Sequence, residues 1–235
     1  MPIDYSKRGG SQGSGGGSQG SPGGSRGSGV SLSKVTLTAS APRVSLSKHS
    51  GGGGIGGELL VNLNWTARPP STGFLRRSPG GDIDLDLGCL YELANGRKGV
   101  VQALGNSFAS RNEGPPIITL DGDDRTGESS EGENLRIDLS RLGEIRRILV
   151  FAYIYEGTPN WAGANGVVTL YPREGAPIEV RLDEADPSAR TCAIAMLENV
   201  GTDLSVSREV RYIRGTQSAL DAAYGWGMTW KPGRK

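Results

Sequence analysis

Histidine is all but missing from this chain: His49 is the only one among 235 residues. A catalytic triad built on imidazole would depend on that residue alone, and it lies in a Ser/Gly-rich segment read as exposed and inert. Cysteine is nearly as scarce. Cys89 and Cys192 stand far apart with no C-x-x-C spacing, so the expectation is two buried free thiols in a reducing cytoplasm. Neither has a visible activating base nearby, and packing is preferred to nucleophilic catalysis. Long apolar runs are absent, which excludes a membrane-spanning helix. The opening "MPIDYSKRGG" leads into Gly and Ser rather than an apolar segment, so no secretory signal is expected. Excess charge of one sign is missing too. The 26 Lys and Arg nearly balance 25 Asp and Glu, which argues against nucleic acid, a partner that calls for a clustered basic face. No G-x-x-x-x-G-K-[ST] phosphate loop occurs. "SGGGGIGG" contains a G-x-G-x-x-G match, but it opens a strand-like run instead of following a strand and starting a helix, which argues against dinucleotide binding.

Glycine, by contrast, is abundant. "GGSQGSGGGSQGSPGGSRGSG" has almost nothing apolar to bury. Such a segment cannot offset the entropy of ordering, so residues 1–29 are expected to form a disordered tail. Residues 30–235 are a comfortable size for one core. Their pattern is strand-like almost throughout. "ELLVNLNW" places Leu59, Val61, Leu63 and Trp65 on one face, with Leu60, Asn62 and Asn64 on the other. "EIRRILVFAYIY" is apolar enough for a central strand, and "GVVTLYP", "APIEVRL", "TCAIAMLENV" and "DLSVSREVRYI" follow with turn residues between. Only "QSALDAAY" reads as a short helix. Many short strands between Gly, Pro, Asn and Asp predict an all-β fold, a two-sheet β-sandwich with a short C-terminal helix. "VSLSKVTL" and "RVSLSK" echo one another, which paired edge strands would explain.

The charge that is present is unevenly placed. In "DIDLDLGCLYEL" the period is two. Ile83, Leu85, Leu87, Cys89, Tyr91 and Leu93 share a core-facing side, while Asp82, Asp84 and Asp86 share the other. Successive carboxylates there stand roughly 7 Å apart, twice the rise per residue. Each neighbouring pair repels by about 1–2 kcal/mol at a dielectric between protein surface and water, and Asp is a poor strand former. A bound cation would remove that cost. A second acidic run, "GDDRTGESSEGEN" from Gly122 to Asn134, offers carboxylates, an Asn and three glycines that let the backbone turn its carbonyls inward. Six to eight oxygen ligands suit a hard divalent ion. With no His or Cys nearby, calcium is favoured over zinc. Composition alone leaves a solvated acidic surface equally open. Neither run fits an EF-hand: the sixth and twelfth positions from Asp82 are Leu87 and Leu93, and the twelfth from Asp121 is Gly132. Any calcium must then be held between loops of the sandwich.

Several of these motifs, taken in order, resemble the TerD family, calcium-binding proteins of bacterial tellurium-resistance and stress operons. "GVSLSK" near residue 29 is similar to the family's opening, and Asp84–Asp86 "DLD" to its early acidic strand. "GDDRTGE" with "EGEN" is similar to its characteristic Gly-Asp-Asn-x-Thr-Gly loop and acidic run, and "ILVFAYIYEG" to a long strand ending in Glu. The resemblance implies metal ligands at Asp84, Asp86, Asp123, Asp124, Glu131, Glu133 and Asn134. Asp82 and Asp121 lie outside the family motif. Asp124 stands where Asn is usual, "SSEGEN" carries an extra residue, and Asn134 replaces an acid. Glu156 reads better as a strand-end surface residue than as a further ligand. The family implies Ca2+ as cofactor, no enzymatic activity, and a cytoplasmic stress-response role. It also implies partners among other stress-resistance operon proteins at the inner membrane face.

Two rivals remain at this level. A calcium-dependent carbohydrate or small-ligand binding module is compatible with a sandwich, and paired carboxylates can serve a glycosidase, although no cleft is visible in the sequence. Tyr224, Trp226, Met228 and Trp230 alternate in "AAYGWGMTW" and are read as closing a core. Trp161, in a Gly/Asn loop, is read as an anchor for a partner.

Overall fold

A computed structural model of the chain describes residues 33–49, 55–66, 83–121, 132–157, 159–183 and 186–231. The glycine-rich stretch 1–29 lies outside them, as do Asp82, most of the second acidic run, and the His49 side chain.

Two six-stranded sheets face each other. The first contains β1 (Val35–Thr36), β3 (Glu58–Asn64), β6 (Ile118–Leu120), β7 (Glu133–Asp138), β9 (Gly166–Pro172) and β10 (Ile178–Leu182). Their order is β1-β10-β9-β3-β7-β6. The second contains β2 (Arg43–Ser45), β4 (Asp84–Leu93), β5 (Lys98–Gln102), β8 (Ile145–Glu156), β11 (Thr191–Asn199) and β12 (Leu204–Ile213), ordered β2-β12-β11-β8-β4-β5. Apart from the parallel β1–β10 pair, the ladders are antiparallel. Short helices span Leu46–His49 (α1), Trp161–Ala164 (α2) and Gln217–Tyr224 (α3), and a 3-10 turn covers Leu139–Glu144. Among the described residues no helix is long and apolar enough to cross a membrane.

Period-two alternation accounts for the main core. Leu59, Val61 and Leu63 of β3, Leu135 and Ile137 of β7, and Val168 and Leu170 of β9 point between the sheets. There they meet Leu85, Leu87 and Cys89 of β4 and Ile148 and Val150 of β8. The expected β-sandwich and the helix at 217–224 are therefore present, and both cysteines are free and buried.

Three features depart from the sequence reading. The strands found in the described parts of the two echoed segments do not pair with one another; residues 30–32 of the first lie outside the described residues. β1 joins β10 in one sheet, while β2 joins β12 in the other, so each copy supplies a short outer strand to a different layer. Trp161 is not a surface anchor: it is fully buried, donates Nε1–H to the Ala189 carbonyl at 2.8 Å, and meets the Tyr212 ring edge-on. A Gly/Asn setting made it look exposed, but Asn160 caps the single turn of α2 and tucks the indole inward.

The second sheet also buries its outer face. Leu90, Leu149, Phe151, Tyr153, Ala193 and Met196 form a separate apolar layer, closed by Leu220 of α3 and by Trp226. β4 is accordingly buried along its whole length, on both faces rather than one. The Asp221 carboxylate fastens this cover. It accepts N–H bonds from Gly227 and Met228 and from the Trp230 indole, at 2.8–3.0 Å.

Candidate metal centre

Asp84 and Asp86 open β4, where strand alternation turns Asp86 away from Leu85 and Leu87 and toward the outer layer. The ladder to β5 begins only at Gly88 opposite Gln102. The first residues of β4 therefore run past the end of β5, and that edge of the strand is available to something else. Glu133 takes it. Its Oε2 accepts the Leu87 N–H at 2.6 Å, so a side chain from the first sheet reaches the backbone of the second. Asp84, Asp86 and Glu133 are all buried.

Gly132 makes this approach possible. It adopts φ +63°, and a Cβ there would lie 2.2 Å from the Leu63 carbonyl oxygen, a backbone atom that cannot step aside. The chain leaves the acidic segment pressed against β3, and the next residue turns inward as the first of β7.

Electrostatics agree with the geometry. Tyr153 faces Asp86 across the β4–β8 ladder. Burial first, and then the negative charges of Asp86 and Glu133, hold its phenol well above the usual tyrosine range. Carboxylates drawn from two sheets thus share one buried region. Their oxygens are hard donors, with the chemistry of an alkaline-earth site rather than a zinc or copper one.

The sequence-derived ligands divide unevenly. Asp86 and Glu133 both bear on Tyr153, and Asp84 is buried two residues before Asp86 on β4. Asn134 does not join them: as the next residue along β7 it points to the opposite face, where its Oδ1 accepts from the Asn62 side chain at 2.9 Å. Asp121, weaker from the start, is taken by Arg136 in a bidentate pair at 2.7–2.9 Å. Glu156 is exposed at the end of β8. Asp123, Asp124 and Glu131 lie outside the described residues. Among the described residues no group of three or more His, Cys, Asp and Glu side chains has the spacing to hold a metal by itself. Asp84, Asp86 and Glu133 have the oxygen-donor chemistry of such a cage but do not form one by themselves. Tyr153 is the neighbour that sequence reasoning missed, and only the strand register puts it there.

Sequence comparison places this arrangement. The chain is 46% identical over 208 residues, 88% of its length, to the tellurium resistance protein TerA of an Alcaligenes species. The matched region belongs to the TerA/TerD tellurium-resistance family. The chain spans 60% of the length of that TerA protein. No family model matches the chain. Among solved structures, a protein of unknown function superposes with a TM-score of 0.50 at 16% identity, covering 68% of this chain and 91% of its own. That likeness concerns the fold alone. A homologue of the telluride resistance protein TerD from Streptomyces coelicolor A3(2) aligns at a TM-score of 0.47 and 21% identity, over 71% of this chain and 95% of its own. That value is too low to add to the assignment.

Proposed function

We propose that this TerA/TerD domain is a calcium-binding, non-enzymatic stress-response protein, acting as a scaffold or sensor in a cytoplasmic complex with other tellurium-resistance proteins. The observation that supports the calcium reading is that Asp86 of β4 and Glu133 of β7, from different sheets, are both buried and both bear on Tyr153, with Asp84 buried two residues before Asp86. Buried carboxylates from two sheets are hard oxygen donors of the kind an alkaline-earth ion takes. A divalent cation held by them would tie one sheet to the other. Asp123, Asp124 and Glu131 would complete the cage. The scaffold role rests on family kinship and on the linkage just described: an ion bridging two layers can set how firmly they are held, which a partner can sense.

Calorimetric titration with calcium and with magnesium tests this. Saturable calcium binding that is lost in Asp86→Ala and Glu133→Ala is the expected result. Magnesium should bind more weakly, because it demands strict octahedral geometry and gives up water reluctantly. No calcium heat with the full chain would overturn the proposal.

A further inference from the structure

A cavity of about 1080 Å³ opens beside β5, just above the usual size of small-molecule sites, about 300–1,000 Å³. None of the acidic candidates lines it. Its walls come from four places: the β4–β5 turn and β5, the loop after β5 that carries Arg111, the start of α3, and the segment after Trp226. Arg97, Lys98, Arg111 and Lys231 line it, and no Asp or Glu does. In a chain whose charges balance almost to zero, four cations with no acid among them mark a local segregation of charge.

The apolar wall is fixed in place. Met228 and Trp230 line the cavity, and the Asp221 carboxylate holds both through the Met228 N–H and the Trp230 indole N–H. Lys98 Nζ donates to the Trp226 carbonyl at 2.6 Å, which ties the same segment to β5. An immobilised indole is a stacking surface that loses little entropy when a ring lies on it.

α3, an eight-residue helix, begins in this cavity. Its N-cap residue Thr216 makes no side-chain cap bond, since its hydroxyl pairs with that of Ser218. The Ala219 and Leu220 N–H groups return to the Thr216 carbonyl, while Thr216, Gln217 and Ser218 line the cavity and bring the positive end of the helix dipole to it. Two buried amides lining the same space add independent witnesses. Gln217 is only 6% exposed, and its Nε2 has no hydrogen-bond partner among the described residues. Gln102 is equally buried. Its Nε2 donates to the Leu104 carbonyl at 3.1 Å, whereas its Oε1 has no partner among the described residues. Buried polar groups are normally satisfied. An unmet donor beside four cations, and an unmet acceptor nearby, describe a ligand with an anionic group and a hydroxyl or N–H.

We propose that this cavity binds a small organic phosphate of the nucleoside-monophosphate type. The phosphate is held by Arg111, Lys231, the Gln217 amide and the start of α3. The ring lies on Trp230, and a ligand hydroxyl or N–H meets Gln102 Oε1.

The test is titration of the full chain with adenosine 5′-monophosphate, followed by calorimetry and by tryptophan fluorescence, with adenosine, inorganic phosphate and citrate as separate arms. Saturable binding of the monophosphate is expected, at least about tenfold tighter than adenosine or phosphate alone. Gln217→Leu and Arg111→Ala should each weaken it by about tenfold or more. Lys231→Ala, at an exposed position that cannot disturb folding, should weaken it by a smaller factor and stands in if either other variant misfolds. Absence of saturable binding overturns the proposal. So does binding indifferent to Gln217→Leu, Arg111→Ala and Lys231→Ala, or citrate binding tighter than the monophosphate.

Discussion

The two ends of β4 treat buried carboxylates in opposite ways. At the far end Glu92 is enclosed, and two guanidinium groups meet it: Arg146 at 2.7 Å and Arg147 at 2.8 Å. Burial alone, the largest single influence, would raise its pKa. The bond and charge of Arg147, with Arg146 and Lys98 behind it, outweigh burial and hold the carboxyl below its usual range. Arg147 also lies over the Trp226 ring, 3.9 Å from its centroid, so the pair is locked by the same cover that closes the outer layer. At the near end, Asp86 and Glu133 are buried, come from different sheets, and both bear on Tyr153. The difference teaches that burial of an acid is not in itself a sign of function. A carboxylate matched by arginines is structural, whereas on the calcium reading proposed above carboxylates from two sheets would share one cation.

The comparison can be broken at its middle. Gly88 separates the two ends, and a Cβ there would lie 2.8 Å from both the Phe151 ring and the Val101 carbonyl oxygen. Gly88→Ala is expected to cost about 3 kcal/mol by overpacking, a fall in Tm of roughly 6–12 °C for a domain of this size. A thermal melt that matches the parent would show that β4 is not the rigid bar the comparison requires.

A smaller effect separates the ends by chemistry. At calcium about 100-fold above Kd, binding adds about 2.7 kcal/mol. Asp86→Asn should erase that increment and, in chelator, leave the protein as stable as the parent or more so, because like-charge repulsion is relieved. Glu92→Gln should keep the calcium increment and lower stability with or without the ion, by about 2 kcal/mol at pH 7. The two roles would be interchangeable if both variants lost the calcium response equally.

The pH dependence sharpens the Glu92 side. Its folded pKa is depressed, so its contribution is fully present above the unfolded value, about 4.3, and is lost as pH falls through the lower folded value. The gap in Tm between parent and Glu92→Gln should therefore be constant from pH 7 to about 5 and narrow below pH 4. A gap that widened on acidification would reverse the assignment. Smallest of all, Arg146→Ala should cost under about 1 kcal/mol, since its side chain is 66% exposed and solvent screens the pair. Arg147→Ala, which also removes the contact with Trp226, should cost more.

Much of this fold was legible in advance. β9 was written out residue for residue by "GVVTLYP", and α3 by "QSALDAAY", because turn residues punctuate both ends. The inward face of β3 followed from period two alone. Asp84 and Asp86 announced themselves because carboxylates at alternate strand positions are costly. Other features left no local trace. Glu133 and Asn134 looked equivalent in "EGEN", but adjacent residues of a strand face opposite ways, so only the register of β7 could divide them. The paired echo of β1 and β2 failed for a similar reason: two similar short strands do not record which sheet each will join. The cavity beside β5 was invisible because its parts lie more than a hundred residues apart.

Alternation, turn residues and clustered charge are short-range properties, so the order of residues sufficed to set the strands, the sandwich class and the acidic character of β4. Which carboxylates meet was decided by the packing of one sheet on the other and by a glycine that lets the chain pass against β3. Partnership of that kind depends on positions distant along the chain, and distance in sequence carries no direction in space until the two layers close.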